Sequence, residues 1–219
     1  MILAAGRGER MRPLTDHCPK PLLTANDKPL IEYHLEQFKR IEIANVVINH
    51  AWLGHLIPQK LGNGERWNLT LNYSDEGDGA LETAGGIKKA LSMIKGDYFI
   101  VVNGDIWTDF DFSLLPKVLT EGMLAHLILV ENPPQHACGD FSLDKNWLQN
   151  DGEERFTFSG IAVYHRRFFE GLDGTSAALG PVIREHINAR QVTGEVYHGQ
   201  WFDIGTPERL QLLDDMLRV

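Results

Sequence analysis

Met1-Ile2-Leu3-Ala4-Ala5-Gly6-Arg7-Gly8-Glu9-Arg10-Met11-Arg12-Pro13-Leu14-Thr15 carries an apolar run straight into a glycine turn. A short apolar run stopped by glycine reads as a buried strand. Glycines also let successive backbone N–H groups turn toward one point, and such a nest binds phosphate. Position 11 is Met where a dinucleotide fingerprint needs its third glycine, and no Gly-Lys-Ser/Thr follows as in a P-loop. A phosphate loop of another kind remains, although a G-x-G by itself is more often an ordinary tight turn.

The surroundings of the loop are basic. Arg7, Arg10, Arg12 and Lys20 stand against Glu9 and Asp16, on a chain whose formal net charge is −9 at pH 7. That acidity opposes non-specific binding to nucleic acid or an anionic membrane surface. An anionic ligand must therefore be met locally. Arg10 can fork onto terminal phosphate oxygens, and Lys20, fixed between Pro19 and Pro21, supplies a point charge or is simply a solvated lysine in a rigid turn.

Outward from the loop, strands and helices alternate. Ile31, Leu35, Phe38 and Ile41 recur at helical spacing behind Pro29. Val46–Asn49 and Leu69–Tyr73 read as strands, with a helix over Leu53–Leu61 interrupted at Pro58. Thr83 is expected to cap a helix whose apolar face is Ala84, Ile87, Leu91 and Ile94. Tyr98–Val102 is apolar throughout, as in a strand covered on both faces. A helix is expected over Phe112–Glu121, broken or started near Pro116. Strands are expected at Leu124–Val130, Asp140–Leu143, Phe156–Tyr164 and Val192–Tyr197, with a helix over Pro181–Ala189. Trp201–Asp203 ends at Gly205, and Thr206-Pro207-Glu208 opens a last helix. This alternation predicts an α/β fold, an open, mostly parallel twisted sheet flanked by helices, in one domain over residues 1–219.

With 43% hydrophobic and 23% charged residues among 219, a packed core is expected. No apolar run reaches the roughly 18 residues of a membrane span, and no leader pattern precedes the first strand, so a cytoplasmic location without membrane association is expected. Cys18 and Cys138 are too few for a disulfide framework and read as buried free thiols. His50 and His55 are five apart and do not form a helix-face zinc pair. Asp75, Glu76 and Asp78 lack the calcium-loop spacing and read as a solvated loop.

Two other aspartates have a better context. Asn103-Gly104-Asp105 closes the apolar strand at 98–102, and Asp203 stands where a second strand gives way to a helix. A strand-end carboxylate suits a hard cation. It is also a common turn residue, and only folding can bring the two together.

The order LAAG-x-G-x-R, PLT and PKPL resembles the signature of the sugar-1-phosphate nucleotidyltransferases, the sugar-nucleotide pyrophosphorylases. That resemblance implies a Rossmann-like sheet with a small sugar-binding β subregion. It implies that Arg10 holds the departing pyrophosphate and Lys20 the reacting phosphates, and that Asp105 and Asp203 hold Mg²⁺. Leu3, Ala4, Ala5, Gly6, Arg7, Gly8, Glu82 and Asn103 would contact the nucleotide, with Leu81–Gly86 similar to the L-x-T-A-G segment that faces the base. Gly139, Ser159 and Gly160 would lie by the sugar. The usual Glu-Lys-Pro segment is absent, replaced by Asn150-Asp151-Gly152-Glu153-Glu154-Arg155, so the resemblance does not name the side chain that holds the sugar hydroxyls.

VINHAWLG at 47–54, NGDIWTDFDF at 103–112, TFSGI at 157–161 and WFDIGTPERL at 201–210 resemble the branch acting on N-acetylmuramate 1-phosphate. This implies UTP as co-substrate, with UDP-N-acetylmuramate and pyrophosphate as products in peptidoglycan recycling. Short members using glucose- or mannose-1-phosphate, or phosphocholine with CTP, share the loop and the aspartates. A non-catalytic nucleotide-sugar sensor would not need to keep both carboxylates.

Overall fold

The computed structural model describes residues 1–77 and 81–218; Asp78, in the acidic segment, lies outside the described residues. In chain order the elements are β1 (Ile2–Leu3), β2 (Thr24–Ala25), β3 (Lys28–Pro29), α1 (Leu30–Arg40), β4 (Asn45–His50), α2 (Leu56–Leu61), β5 (Thr70–Asp75) and α3 (Glu82–Ala90). There follow β6 (Tyr98–Asn103), β7 (Ile106–Thr108), β8 (Ala125–Val130), β9 (Ser142–Asp144), β10 (Trp147–Gln149) and β11 (Thr157–His165). The chain closes with α4 (Leu179–Asn188), β12 (Val192–Tyr197), β13 (Trp201–Asp203) and α5 (Pro207–Leu217).

Nine strands form one sheet in the order β5-β4-β1-β6-β11-β8-β12-β10-β9. The half from β5 to β6 is wholly parallel. The other half is mixed: β11 runs against both β6 and β8, β12 is parallel to β8, and β9 and β10 are antiparallel additions. The chain leaves β1 toward β4 on one side and reaches β6 on the other. The carboxyl ends of β1 and β6 thus border a topological switch point, where open α/β sheets bind ligands. Asn49, Leu3 and Asn103 stand in register across that edge.

Both faces of the sheet are covered. On one, Ile31, Leu35 and Phe38 of α1 pack on Val46, Ile48 and Val102. On the other, α3 and α4 bury Ile87, Ala90, Ile183 and Ile187 against Val101, Leu127 and Tyr164. A third cluster joins Met11 of the glycine loop to Ile204 and to Leu213 of α5, all three fully buried. Burying a leucine side chain is worth about 2 kcal/mol, so α5 clamps residues 203–206 against the loop.

Several expectations need correction. Phe112–Glu121 is one 3₁₀ turn, Phe112–Leu114, followed by irregular chain. The Asp111 carboxylate accepts the Ser113 N–H, and Pro116 forces Leu115 into an extended conformation, which ends the turn. Helix α2 begins at Leu56, because Leu53 takes a left-handed φ of 49°, and Pro58 falls in its first turn, where no amide donor is needed. Thr83 caps nothing: α3 starts one residue earlier, at Glu82. Strand β10, unforeseen, pairs with β9 through a turn at Lys145, whose φ is 58°. Cys138 is exposed and Cys18 half-buried. His50 is buried, and its Nδ1 lacks a hydrogen-bond partner among the described residues.

His34, on α1 beneath the Asn103–Ile106 turn, is also buried, and its ring stacks on Phe112. Burial pushes its pKa down to about 4, only partly opposed by the Asn103 and Ile106 carbonyls and the Asp105 charge. The imidazole is therefore neutral in the fold, while the unfolded chain takes up a proton below about pH 6.5. Stability is full above that value and is lost as pH falls toward 4. Between pH 7 and pH 5 this contributes a loss of about 2 kcal/mol. Urea unfolding at the two pH values should show it, and His34→Leu should remove that part of the difference.

Candidate functional site

The site grows from the carboxyl edge of β1. Gly8 takes a left-handed φ of 66°, and a Cβ there would come within 3.1 Å of Thr15 and 3.3 Å of Lys20. Glycine is needed at this position on both counts. Its carbonyl accepts from Met11 N–H and from the Thr15 hydroxyl, which folds the loop back on itself. Gly6 is different: a Cβ would meet nothing within 4 Å. Its lack of a side chain leaves backbone bare toward the adjoining cavity.

That cavity holds about 230 Å³. Leu3, Ala4, Ala5, Gly6, Lys20, Glu82, Asn103 and Asp105 of the anticipated set line it, joined by Pro21, Asn49, Glu76 and Thr83. Glu82 has a φ of 52°, an uncommon conformation for a residue with a side chain and one that marks local strain at the cavity wall. Arg7 does not line the cavity. It stacks on Trp52, 3.6 Å from the ring centroid, and donates to the Thr15 carbonyl, which the Trp52 indole N–H also reaches. Arg10 is exposed and makes no hydrogen bond or ion pair among the described residues.

Glu76 was expected in a solvated loop and is in fact 7% exposed. Its N–H donates to the His50 carbonyl, extending the β4–β5 ladder and drawing the side chain inward. One carboxylate oxygen accepts from Asn49 Nδ2 at 2.7 Å, the other from Leu81 N–H at 3.4 Å. Asn49 Oδ1 in turn accepts the Ala4 N–H. This chain of bonds ties the two cavity walls, Leu3–Gly6 and Leu81–Thr83, to each other. The only sequence signal for it was a polar residue at each strand end.

Lys20 is 8% exposed, and its Nζ lies 2.6 Å from Asp105 Oδ2. Asp105 is delivered by the tight turn after β6. Gly104 donates to the Leu3 carbonyl, and a Cβ there would sit 2.7 Å from that oxygen, so a side chain would push the turn off β1.

Asp203 comes up beside the Asp105 backbone from the far end of the chain. Strand β13 pairs antiparallel with β7, with Asp203 opposite Ile106, and Ile204 N–H donates to the Asp105 carbonyl at 3.0 Å. The two aspartates therefore sit on adjacent backbones. Asp109 secures the pairing, since its carboxylate accepts from the Tyr197 hydroxyl at 2.6 Å and from Gln200 N–H. The Asp203 carboxylate is held by Arg209, a residue the sequence had not singled out.

Gly139, Ser159 and Gly160, anticipated for the sugar, do not themselves line this cavity. Gly160, with φ 83°, sits in an irregularity of β11, and a Cβ there would strike the Asn103 side chain at 2.5 Å. Ser159 is buried, its hydroxyl donating to the Ile128 carbonyl and its own carbonyl accepting from Trp201. Gly139 packs against Asn132 and Arg155.

Among the described residues no helix is long and apolar enough to cross a membrane, and no group of three or more His, Cys, Asp or Glu side chains converges as a metal cage. Two carboxylates that leave other coordination positions to water and substrate phosphates are the donor set that suits Mg²⁺.

The glycine loop thus borders a cavity at the switch point of an α/β sheet, with the buried Lys20 and Asp105 in the cavity wall and Asp203 on the adjoining backbone. Residues 1–145 match the family described as Nucleotidyl transferase, and the chain belongs to it. It is 48% identical over 218 residues to the N-acetylmuramate alpha-1-phosphate uridylyltransferase of Neisseria meningitidis serogroup B, covering 96% of this chain and 94% of that one. It is 30% identical to the protein of the same name from Caulobacter vibrioides, covering 95% and 92%. The crystal structure of HddC from Yersinia pseudotuberculosis shares the fold with a TM-score of 0.80 at 21% identity, covering 99% of this chain and 97% of that one.

Proposed function

We propose that the chain, acting as one catalytic domain, transfers UMP from UTP to N-acetylmuramate 1-phosphate and releases pyrophosphate. The contact between Lys20 and Asp105, with Asp203 on the neighbouring strand, carries the reading of the reaction. The choice of sugar and base is supported by the two similar uridylyltransferases.

The nucleophile is a phosphate oxygen of the sugar 1-phosphate, whose second ionisation lies near pH 6, so no general base is required. The new O–P bond forms at the α-phosphorus as the bond to the β-phosphate oxygen breaks, and the electron pair leaves on pyrophosphate. Catalysis consists of aligning two polyanions in line and neutralising their charge. Lys20, held by Pro19 and Pro21, places its ammonium among the reacting phosphates. The bare amides around Gly6, together with the exposed Arg10 further along the loop, would receive the leaving pyrophosphate. Asp105 and Asp203 would hold Mg²⁺, which supplies further charge neutralisation. The walls Leu3–Gly6 and Leu81–Thr83 present main-chain groups to an imide edge such as that of uracil.

Pyrophosphate release across four nucleoside triphosphates and a panel of sugar 1-phosphates tests the reading. UTP with N-acetylmuramate 1-phosphate should give the largest kcat/KM. A higher value with glucose- or mannose-1-phosphate would reassign the sugar, and no release with any pair would make the chain a sensor.

A further inference from the structure

Arg209 stands in the first turn of α5. The unpaired N–H groups there already carry partial positive charge, so a guanidinium is unfavourable unless it meets an anion. It meets Asp203: Nη1 donates to the carboxylate and, at 3.0 Å, to the carbonyl of the same residue. The two side chains are 20% and 28% exposed. Gly205 makes the room, since a Cβ there would come within 2.9 Å of the guanidinium. The pair is not what holds the helix, because Thr206 caps it and Leu213 is fully buried. Lys20 engages Asp105 in parallel fashion. Asp105 and Asp203, on adjacent backbones, thus each carry one fixed protein cation.

We propose that Arg209 is a place-holding cation that competes with a divalent metal ion for Asp203, keeping metal affinity low until the nucleotide brings its own negative charge. The inference rests on Asp203 being a metal-holding carboxylate, as proposed above. It makes Arg209 a positioning residue acting through Asp203. Its loss should strengthen metal binding, a gain that mere structural damage does not produce.

The test is Mn²⁺ alone, titrated by electron paramagnetic resonance into nucleotide-free protein. Arg209→Gln should bind Mn²⁺ on the order of tenfold more tightly than the wild type, the scale of a charge-assisted bond removed from competition. Arg209→Lys should stay near the wild type. Gly205→Ala, which crowds the guanidinium while leaving Arg209 in place, should also tighten binding and provides a second route should Arg209→Gln not fold. Unchanged or weaker Mn²⁺ binding in both Arg209→Gln and Gly205→Ala overturns the proposal. Asp203→Ala separates the two levels. If it binds Mn²⁺ as the wild type does, the metal reading of Asp203 fails; if it loses binding while Arg209→Gln is unchanged, only the place-holding role fails.

Discussion

Asp105→Ala should lower kcat by on the order of a thousandfold or more, because one change removes a carboxylate proposed to hold the metal and the partner of a buried ammonium. The structure adds a cost that the motif alone does not reveal. Lys20 is 8% exposed and its Nζ lies 2.6 Å from Asp105, so the alanine variant leaves a largely buried charge unpaired. With Asp105 itself 37% exposed, solvent reaches the contact, and the expected loss of stability is about 1–2 kcal/mol. Asp105→Asn keeps an acceptor for Lys20 and should recover most of that stability without recovering turnover. Chemical denaturation and steady-state rates on the two variants check this. An alanine variant with near-normal turnover would remove Asp105 from the reaction.

Lys20→Ala should lower kcat by about 10²–10³ while changing the KM for the nucleotide far less, since the ammonium counts most where charge builds up in the transition state. Lys20 sets a compact ammonium 2.6 Å from Asp105 Oδ2, a position that a longer, planar guanidinium does not reproduce. Lys20→Arg should therefore rescue only part of the rate despite keeping the charge. Steady-state kinetics with both substrates saturating measure the split. A large rise in KM with kcat unchanged would place Lys20 in ground-state binding alone.

The carriers of the proposed chemistry were legible in the sequence because each belongs to a short local pattern. Gly8 is recognisable from its turn, Lys20 from its two prolines, and Asp105 and Asp203 from the strands they close. Elements with regular apolar spacing were equally plain, β12 and α1 among them. What could not be read depends on partners far along the chain. Glu76 looked solvated amid acidic residues and glycines, yet the pairing of β5 with β4 draws it against Asn49. At Gly160 only the fold shows the neighbour: its φ of 83° and the Asn103 side chain beside it leave no room for a Cβ. Arg209 carried no signal, because an arginine in a first helical turn is ordinary until its anion is known. The segment after Phe112 misled in the other direction: its apolar spacing suits a helix, but Asp111 and Pro116 act locally to stop one.

By itself the sequence determined the alternation of strands and helices, the glycine loop at the end of the first strand and the residue types of the candidate site. Those follow from backbone preferences and apolar periodicity within a few residues. Tertiary structure alone decided that Asp105 and Asp203 become neighbours and that Lys20 and Arg209 each take one of them. The physical reason is that the β7–β13 pairing and the burial of Leu213 and Ile204 against Met11 are bonds and contacts between distant segments, formed only when the sheet and α5 close on the glycine loop.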